Sequence, residues 1–329
     1  MWKYVTVAAL LLGLPLSLLG YYRCPHDLQA RQAVELVVEG ETLCDVARRL
    51  ARNDLLRMPR LFAWLARTMN MDHSVQAGEY ILHSSMSPRE ILRGLSSGEV
   101  ILYRITVPEG YSVKQVAVLL DQNQLAPSSI LLEESRSGSL AKELGVPSDS
   151  LEGYLFPDTY YFSRGHTSQT LLGTMVRQFW KSFDESMRQA LDRTDWSLHE
   201  VVTMASIVEA ETSRKEEKPL IASVMINRLK KGMPLQADPT VIYGLDEFDG
   251  NLKKEHLLLQ HPYNTYSMTG LPPGPICNPG IESLKAVLSP ADTPYLFFVS
   301  RNDGTHEFSA TLGDHNRAVL KFQKSSGKR

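Results

Sequence analysis

The stretch SLHEVVTMASIVEAET, Ser197 to Thr212, decides how the second half of this chain is read. Ser197 is a helix cap, because its short hydroxyl side chain can accept a hydrogen bond from the backbone N–H groups that open a helix. Apolar residues then recur at helical spacing, and Glu209 and Glu211 close the run. At about 100° per residue, the apolar side is centred near Val201, Ala205 and Val208. The two glutamates fall on opposite flanks of that stripe, about 160° apart, so they cannot face one cleft equally. Glu211 stacks one turn beyond Val208 and two turns beyond Met204, where the apolar face meets whatever packs on it. A carboxyl among apolar neighbours tends to stay protonated, as a general acid requires. Glu209 has Arg214 and Lys215 as nearby ion-pair partners. From spacing alone, a pair of solvated glutamates at a helix end is the competing reading.

Helix and strand patterns alternate on either side of this stretch. Downstream, EEKPLIASVMINRLKKG reads as a helix with Pro219 near its start and Gly232 at its end. Residues 233–280 read mostly as loop, then come strands near 295–299 and 306–309 and a last helix in ATLGDHNRAVLKF. Upstream, a helix is expected over about 168–191. LEGYLFPDTYYF, Leu151 to Phe162, is dense in aromatic and turn residues. ILYRITVPEG reads as a strand, followed by a helix with Val113, Val116, Ala117 and Leu120 on one face. Residues 34–98 form a small α+β unit. Val34, Leu36 and Val38 alternate with polar residues as a strand, Gly40 breaks it, and Thr42 caps a helix lined by Leu43, Val46, Ala47 and Leu50. A helix after Pro59, a strand at Tyr80–Leu82 and a Ser87-capped helix complete the unit.

The N-terminus carries nineteen uncharged residues, Tyr4 to Tyr22. At about 1.5 Å per residue they span roughly 28 Å, close to the apolar thickness of a bilayer. The following YYRCPHD has no small-residue cleavage site, which favours a retained single-pass anchor at 1–22 over a removed signal peptide. Residues 23–33 are then a juxtamembrane linker.

Composition excludes several functions. With 35 basic and 37 acidic residues the net charge is −2, so nucleic acid is not an expected partner. Cys24, Cys44 and Cys277 are far apart, indicating neither a disulfide framework nor a zinc site. No dinucleotide, P-loop or HExxH motif occurs, and no metal or cofactor is expected.

The polar residues of 233–280 set the chemistry. LQADPTVIYG places Gln236, Asp238, Thr240 and Tyr243 in one turn-rich segment, and PYNTYSMTGLPPGPICNPG adds Tyr263, Asn264, Thr265, Tyr266 and Asn278. Asn227 and Arg228 lie in MINRL. Amides, hydroxyls and tyrosines on a proline-stiffened loop suit a neutral polyhydroxylated ligand, since sugars take planar hydrogen bonds and aromatic faces. A purely structural polar turn is the alternative.

LEGYLFPDTYYF, MASIVEAET, INRL, MPLQADPTVIYG, YNTY, GLPPGPICNPG and HNRAVLKF, in this order, resemble the endolytic murein transglycosylase (YceG-like) family, over roughly Val34 to Phe322. VEGETLCDVARRL resembles the start of a LysM module, which binds cell-wall glycan. The resemblance implies a bacterial inner-membrane protein of α+β class: a single N-terminal transmembrane helix, a LysM-like subdomain at 34–98, and a mixed α+β catalytic domain at 99–329 facing the periplasm. It implies internal cleavage of nascent glycan strands and termination of their elongation, with peptidoglycan and the membrane as partners and cell-wall synthases as candidates. It also places the catalytic acid at Glu211. Glu152 and Asp158 of LEGYLFPDTYYF join the residues named above as substrate contacts. On this reading Glu211 protonates the MurNAc–GlcNAc glycosidic oxygen and then, as a base, helps the muramic C6 hydroxyl close a 1,6-anhydro ring. A membrane-tethered glycan-binding protein without catalysis, and a muramidase using water, are the two rivals.

Overall fold

The computed structural model describes residues 16–27, 31–37, 39–71, 74–245 and 247–324. The expected anchor at 1–22 therefore lies mostly outside the described residues, and Val38 and part of the linker do as well. Residues 16–23 are helical. Among the described residues no helix is long and apolar enough to cross a membrane.

The chain forms two compact units. The first comprises Met1–Ile105, Gln122–Ala126 and Tyr160–Ser168; the second holds the rest. Strand β1 (Gln32–Val37), helices α1 (Leu43–Arg52) and α2 (Pro59–Thr68), strand β2 (Gly78–His83) and helix α3 (Pro88–Ser97) follow one another in the first unit. The β1–β2 pair is antiparallel, from Gln32 opposite His83 to Val37 opposite Gly78. Local chemistry sets the helix ends. Thr42 accepts from the Asp45 N–H, Ser87 and Glu90 cap each other reciprocally, and Gly98 ends α3 in the left-handed region at φ 71°. Val46, Leu50, Phe62, Tyr80 and Ile91 centre the core.

The strand at β1 is as expected, but it faces the other way. Val34 is 56% exposed, whereas Glu35 is 3% exposed and Val37 is buried. A glutamate can face the core here because α1 supplies its partners: Arg49 Nε lies 3.4 Å and Asn53 Nδ2 2.5 Å from its carboxylate. Alternation gives the period of a strand, not which face is buried.

The segment 160–168 returns to the first unit through specific bonds. Ser163 accepts from the Glu79 N–H, Arg164 pairs with Glu79 at 3.2 Å, and the Gly165 carbonyl accepts from the Glu39 N–H. A boundary drawn along the sequence at 98 cannot anticipate such a return. Strand β3 (Tyr103–Thr106) pairs with β4 (Thr159–Phe162), a strand that the aromatic, turn-rich sequence had not announced.

The second unit contains α4 (Val113–Gln122), α5 (Ser128–Ser135), α6 (Gly138–Glu143), α7 (Ser168–Ser182) and α8 (Glu185–Leu191). The single helix expected over 168–191 is two helices, because Asp184 accepts from the Met187 N–H and starts a new one. Helix α9 (Leu198–Glu211) begins with a Ser197–Glu200 capping box. It packs against α10 (Lys218–Lys230), α11 (Asp238–Tyr243) and α12 (Ile281–Leu288). All eight residues from Val201 to Val208 are buried, so α9 is enclosed on every side and is not a one-faced amphipathic helix. Its hydroxyls are satisfied internally: Thr203 donates to the His199 carbonyl and Ser206 to the Thr203 carbonyl. Ser206 also accepts from the Ile276 N–H, pinning the 270s loop to α9. The β5 (Phe297–Ser300) and β6 (His306–Ser309) hairpin and α13 (Leu312–Val319) complete the unit.

Candidate active site

Glu211 is the last residue of α9, and Thr212 behind it is extended, with its N–H still bonded to the Val208 carbonyl. Glu211 keeps partial access to the surface, yet protein surrounds its carboxyl densely enough to push its pKa up to about 7. Burial is the main cause, the neighbouring Asp238 charge adds to it, and Arg228 opposes it. Its carboxyl has no hydrogen bond or ion pair among the described residues. A carboxyl of this kind is protonated for part of the time at neutral pH and has its proton free to give.

Glu209, two residues earlier, is held completely. Lys218 Nζ donates to both of its oxygens at 2.9 and 3.0 Å, the Gly280 N–H donates at 2.9 Å and the Ser283 hydroxyl at 2.7 Å. The partner is Lys218, not the expected Arg214 or Lys215. The reversal after Thr212 brings the first residue of α10 over the last turn of α9, and Lys218 is 1% exposed there. Arg214 instead donates to the Gly304 and Asp303 carbonyls in the β5–β6 turn.

Four groups interact around the acid: Glu211, Asp238, Arg228 and Tyr266. Asp238 opens α11 and accepts from the Tyr266 hydroxyl at 2.5 Å. Burial and the Asp238 carboxylate push the Tyr266 hydroxyl pKa well up, so it stays a donor. Arg228 is buried, its Nε donating to the Leu296 carbonyl and its Nη1 to the Leu235 carbonyl, each at 2.7 Å. It thus ties α10 to both neighbouring segments while its charge acts on Glu211.

The remaining candidates divide by exposure. Asp158, Gln236 and Asp238 are exposed, and Asn227, Tyr243, Tyr263 and Tyr266 are partly so, which leaves these side chains able to meet a ligand. Tyr243 and Tyr263 lie with ring centroids 4.8 Å apart. Gln236 takes a left-handed φ of 52°, where its N–H donates to the Thr265 carbonyl. Thr240, Asn264, Thr265 and Asn278 are buried and brace the loops. Thr265 accepts from the Ala237 N–H and bonds Thr240 at 2.8 Å. The Asn264 amide donates to the Leu257 and Leu259 carbonyls. Asn278 accepts from the Leu155 N–H and donates to the Tyr111 carbonyl. Asn227 likewise donates to the Thr293 and Tyr295 carbonyls. Asp158 is engaged locally by the Thr159 N–H and the Gln178 amide. Glu152 is buried, accepts from the Val113 N–H and the Tyr243 hydroxyl, and is pushed up to about 7 by burial.

Sequence reading did not find a network behind Thr212. Glu217 accepts from the His306 N–H at 2.9 Å and lies 2.7 Å from its Nδ1, and the Thr212 hydroxyl lies 3.5 Å from the same carboxylate. Glu217 and His306 are 89 residues apart, and no local pattern links them. Among the described residues no group of three His, Cys, Asp or Glu side chains is placed to hold a metal ion.

Of the two carboxyls raised to about 7, Glu152 is buried and hydrogen-bonded, whereas Glu211 at the end of α9 is partly exposed and has no hydrogen bond among the described residues, which defines an α+β protein with a candidate acid beside an open polar surface. The sequence model of the YceG-like family matches residues 36–321, and the chain belongs to that family. It is 34% identical to an endolytic murein transglycosylase of Bacillus subtilis, over 93% of this chain and 89% of that protein. It is 27% identical to one from Streptococcus pneumoniae, over 92% of this chain and 60% of that protein. A crystal structure of a YceG-like protein from Listeria monocytogenes superposes with a TM-score of 0.61 at 29% identity, over 88% of this chain and all of the other.

Proposed function

We propose that this chain is a lytic transglycosylase that cuts peptidoglycan strands internally, with Glu211 as its only acid–base group. The observation that carries the reading is the state of Glu211: partly exposed, without a hydrogen bond or ion pair among the described residues, and with a pKa near neutrality. As an acid it protonates the oxygen between N-acetylmuramic acid and N-acetylglucosamine. As the resulting carboxylate it accepts the proton of the muramic C6 hydroxyl, which closes the 1,6-anhydro ring without water. The intramolecular hydroxyl has the entropic advantage over a diffusing nucleophile. A retaining hydrolase would need a nucleophilic carboxylate about 5 Å from the acid, an inverting one a base about 6.5–9.5 Å away. Asp238 is the carboxylate that acts on Glu211, and the Tyr266 hydroxyl occupies one of its oxygens, which suits a positioning part more than a nucleophile. The relatives named endolytic murein transglycosylase support the substrate class.

The same reading includes a retained anchor at 1–22 in the bacterial inner membrane, a periplasmic catalytic unit, a LysM-like first unit that engages glycan, and termination of strand elongation beside cell-wall synthases. Mass spectrometry of digested, uncrosslinked glycan tests it. Anhydro ends inside long strands, one water lighter than reducing ends, are expected. Reducing ends alone would mean a muramidase, and no new ends a binding protein.

A further inference from the structure

The first unit carries a charge that the whole chain lacks. From Leu43 to Thr68 there are six arginines and two aspartates, a net +4, against −2 for the full chain. Arg49 is taken up by Glu35 and Glu41, Arg57 by His26, and Arg48 makes a solvent-exposed pair with Asp45 at 3.1 Å. On the outer face of α2, Arg60, Trp64 and Arg67 are spaced i, i+4, i+7 and so share one stripe. Arg48 of α1 lines a groove of about 350 Å³ with them, together with Cys44, Pro59 and Ala63. Trp64 is 53% exposed, and neither its indole N–H nor the Arg60 guanidinium has a partner among the described residues. Met58 and Met69, at the two ends of the helix, are exposed as well.

The donors in this groove define what it can hold. Guanidinium and indole groups donate and do not accept. A sugar hydroxyl needs acceptors as well as donors, and the groove has no amide, hydroxyl or carboxylate in its lining. A phosphodiester only accepts, and bidentate guanidinium contacts fit it. An exposed tryptophan beside arginines is also the pairing found at the headgroup level of bilayers. The location agrees. The Tyr21 hydroxyl donates to the Met58 carbonyl at 3.1 Å, and Tyr21, Cys24 and Pro25 line a hollow together with Leu55 and Leu56. The end of the nineteen-residue uncharged run is therefore tied to the residue immediately before α2.

We propose that the Arg60–Trp64–Arg67 face of α2, with Arg48, docks on the membrane surface and takes the phosphodiester headgroups of anionic phospholipids. The inference rests on the anchored reading above. It would hold the first unit down on the bilayer from which the chain emerges.

Tryptophan quenching tests it in the full-length chain, reconstituted in vesicles of phosphatidylcholine with or without phosphatidylglycerol, with and without brominated acyl chains. The chain has four tryptophans, so the shares of Trp2 and Trp64 are read as differences from the Trp2→Phe and Trp64→Phe variants. Trp64 is expected to be quenched in the anionic vesicles and much less in the neutral ones. Arg60→Glu should lower the docked-to-undocked ratio about thirtyfold, at the attraction typical of a basic side chain on an anionic leaflet, while Arg60→Lys retains most of it. Quenching of Trp2 but not Trp64 keeps the anchor and overturns the docking. Loss of both overturns the anchor and the docking together. Equal Trp64 quenching in both lipids overturns the preference for anionic headgroups. A Trp64 response to soluble glycan fragments and not to lipid makes the groove a sugar site.

Discussion

Replacing Glu211 by glutamine separates its chemistry from its cost to the fold. The folded carboxyl titrates near pH 7, against an ordinary value of 4.5. Below pH 4.5 both folded and unfolded states hold the proton, so Glu211 costs nothing. As pH rises from 4.5 to 7 the unfolded chain releases the proton while the folded one keeps it, and stability falls. Above 7 the penalty levels off at about 3 kcal/mol, because each pH unit separating the folded and unfolded titrations is worth roughly 1.4 kcal/mol. Glutamine has no such titration, so Glu211→Gln should gain about 2–3 kcal/mol on the parent between pH 5 and pH 8. Glu152 titrates alike in both proteins and cancels in the comparison. Urea unfolding at the two pH values, followed on the transition of the second unit, measures the gain. Glycan turnover by the same variant should fall by about 10²–10⁴-fold, the usual range for a general acid. A stability difference that does not change with pH would refute the raised pKa, and retained turnover would refute the acid.

Four other outcomes follow from the geometry. Glu209→Gln removes the carboxylate charge that neutralises Lys218, which is 1% exposed and has its next carboxylate, Glu109, at 3.8 Å; melting should show a loss of about 3–5 kcal/mol, with turnover per folded molecule falling far less than for Glu211→Gln. Asp238→Asn removes the like charge beside Glu211, so the alkaline limb of the kcat/KM profile should move to lower pH, and an unmoved limb would disprove the coupling. Glu217→Gln loosens His306 and Thr212 behind the acid; kcat should drop with KM nearly constant, and a KM effect alone would assign Glu217 to binding. Mature protein from membranes should keep residues 1–22 on N-terminal sequencing, and a start beyond Tyr22 would disprove the retained anchor.

Sequence by itself determined what depends on neighbours along the chain. The Ser87–Glu90 and Ser197–Glu200 caps, the Pro59 and Pro88 helix starts and the Gly98 stop all act over three or four residues, so their pattern is their mechanism. Helical period also placed Glu211 and Glu209 on different flanks of α9, although the one-faced apolar stripe it assumed gave way to a helix enclosed on every side. Only the tertiary structure decided which groups meet across the fold. Alternation located β1, but Arg49 and Asn53 on α1 determined that Glu35 would face inward. Sequence offered Arg214 and Lys215 to Glu209, and the path of the chain after Thr212 delivered Lys218. Asn227, Asn264, Thr265 and Asn278 were read as ligand contacts because they are polar residues in loops. In the fold they bond backbone groups of neighbouring loops. The raised pKa of Glu211 belongs to the same class, since desolvation and the Asp238 charge come from segments distant in sequence, and neither exists until the chain has packed.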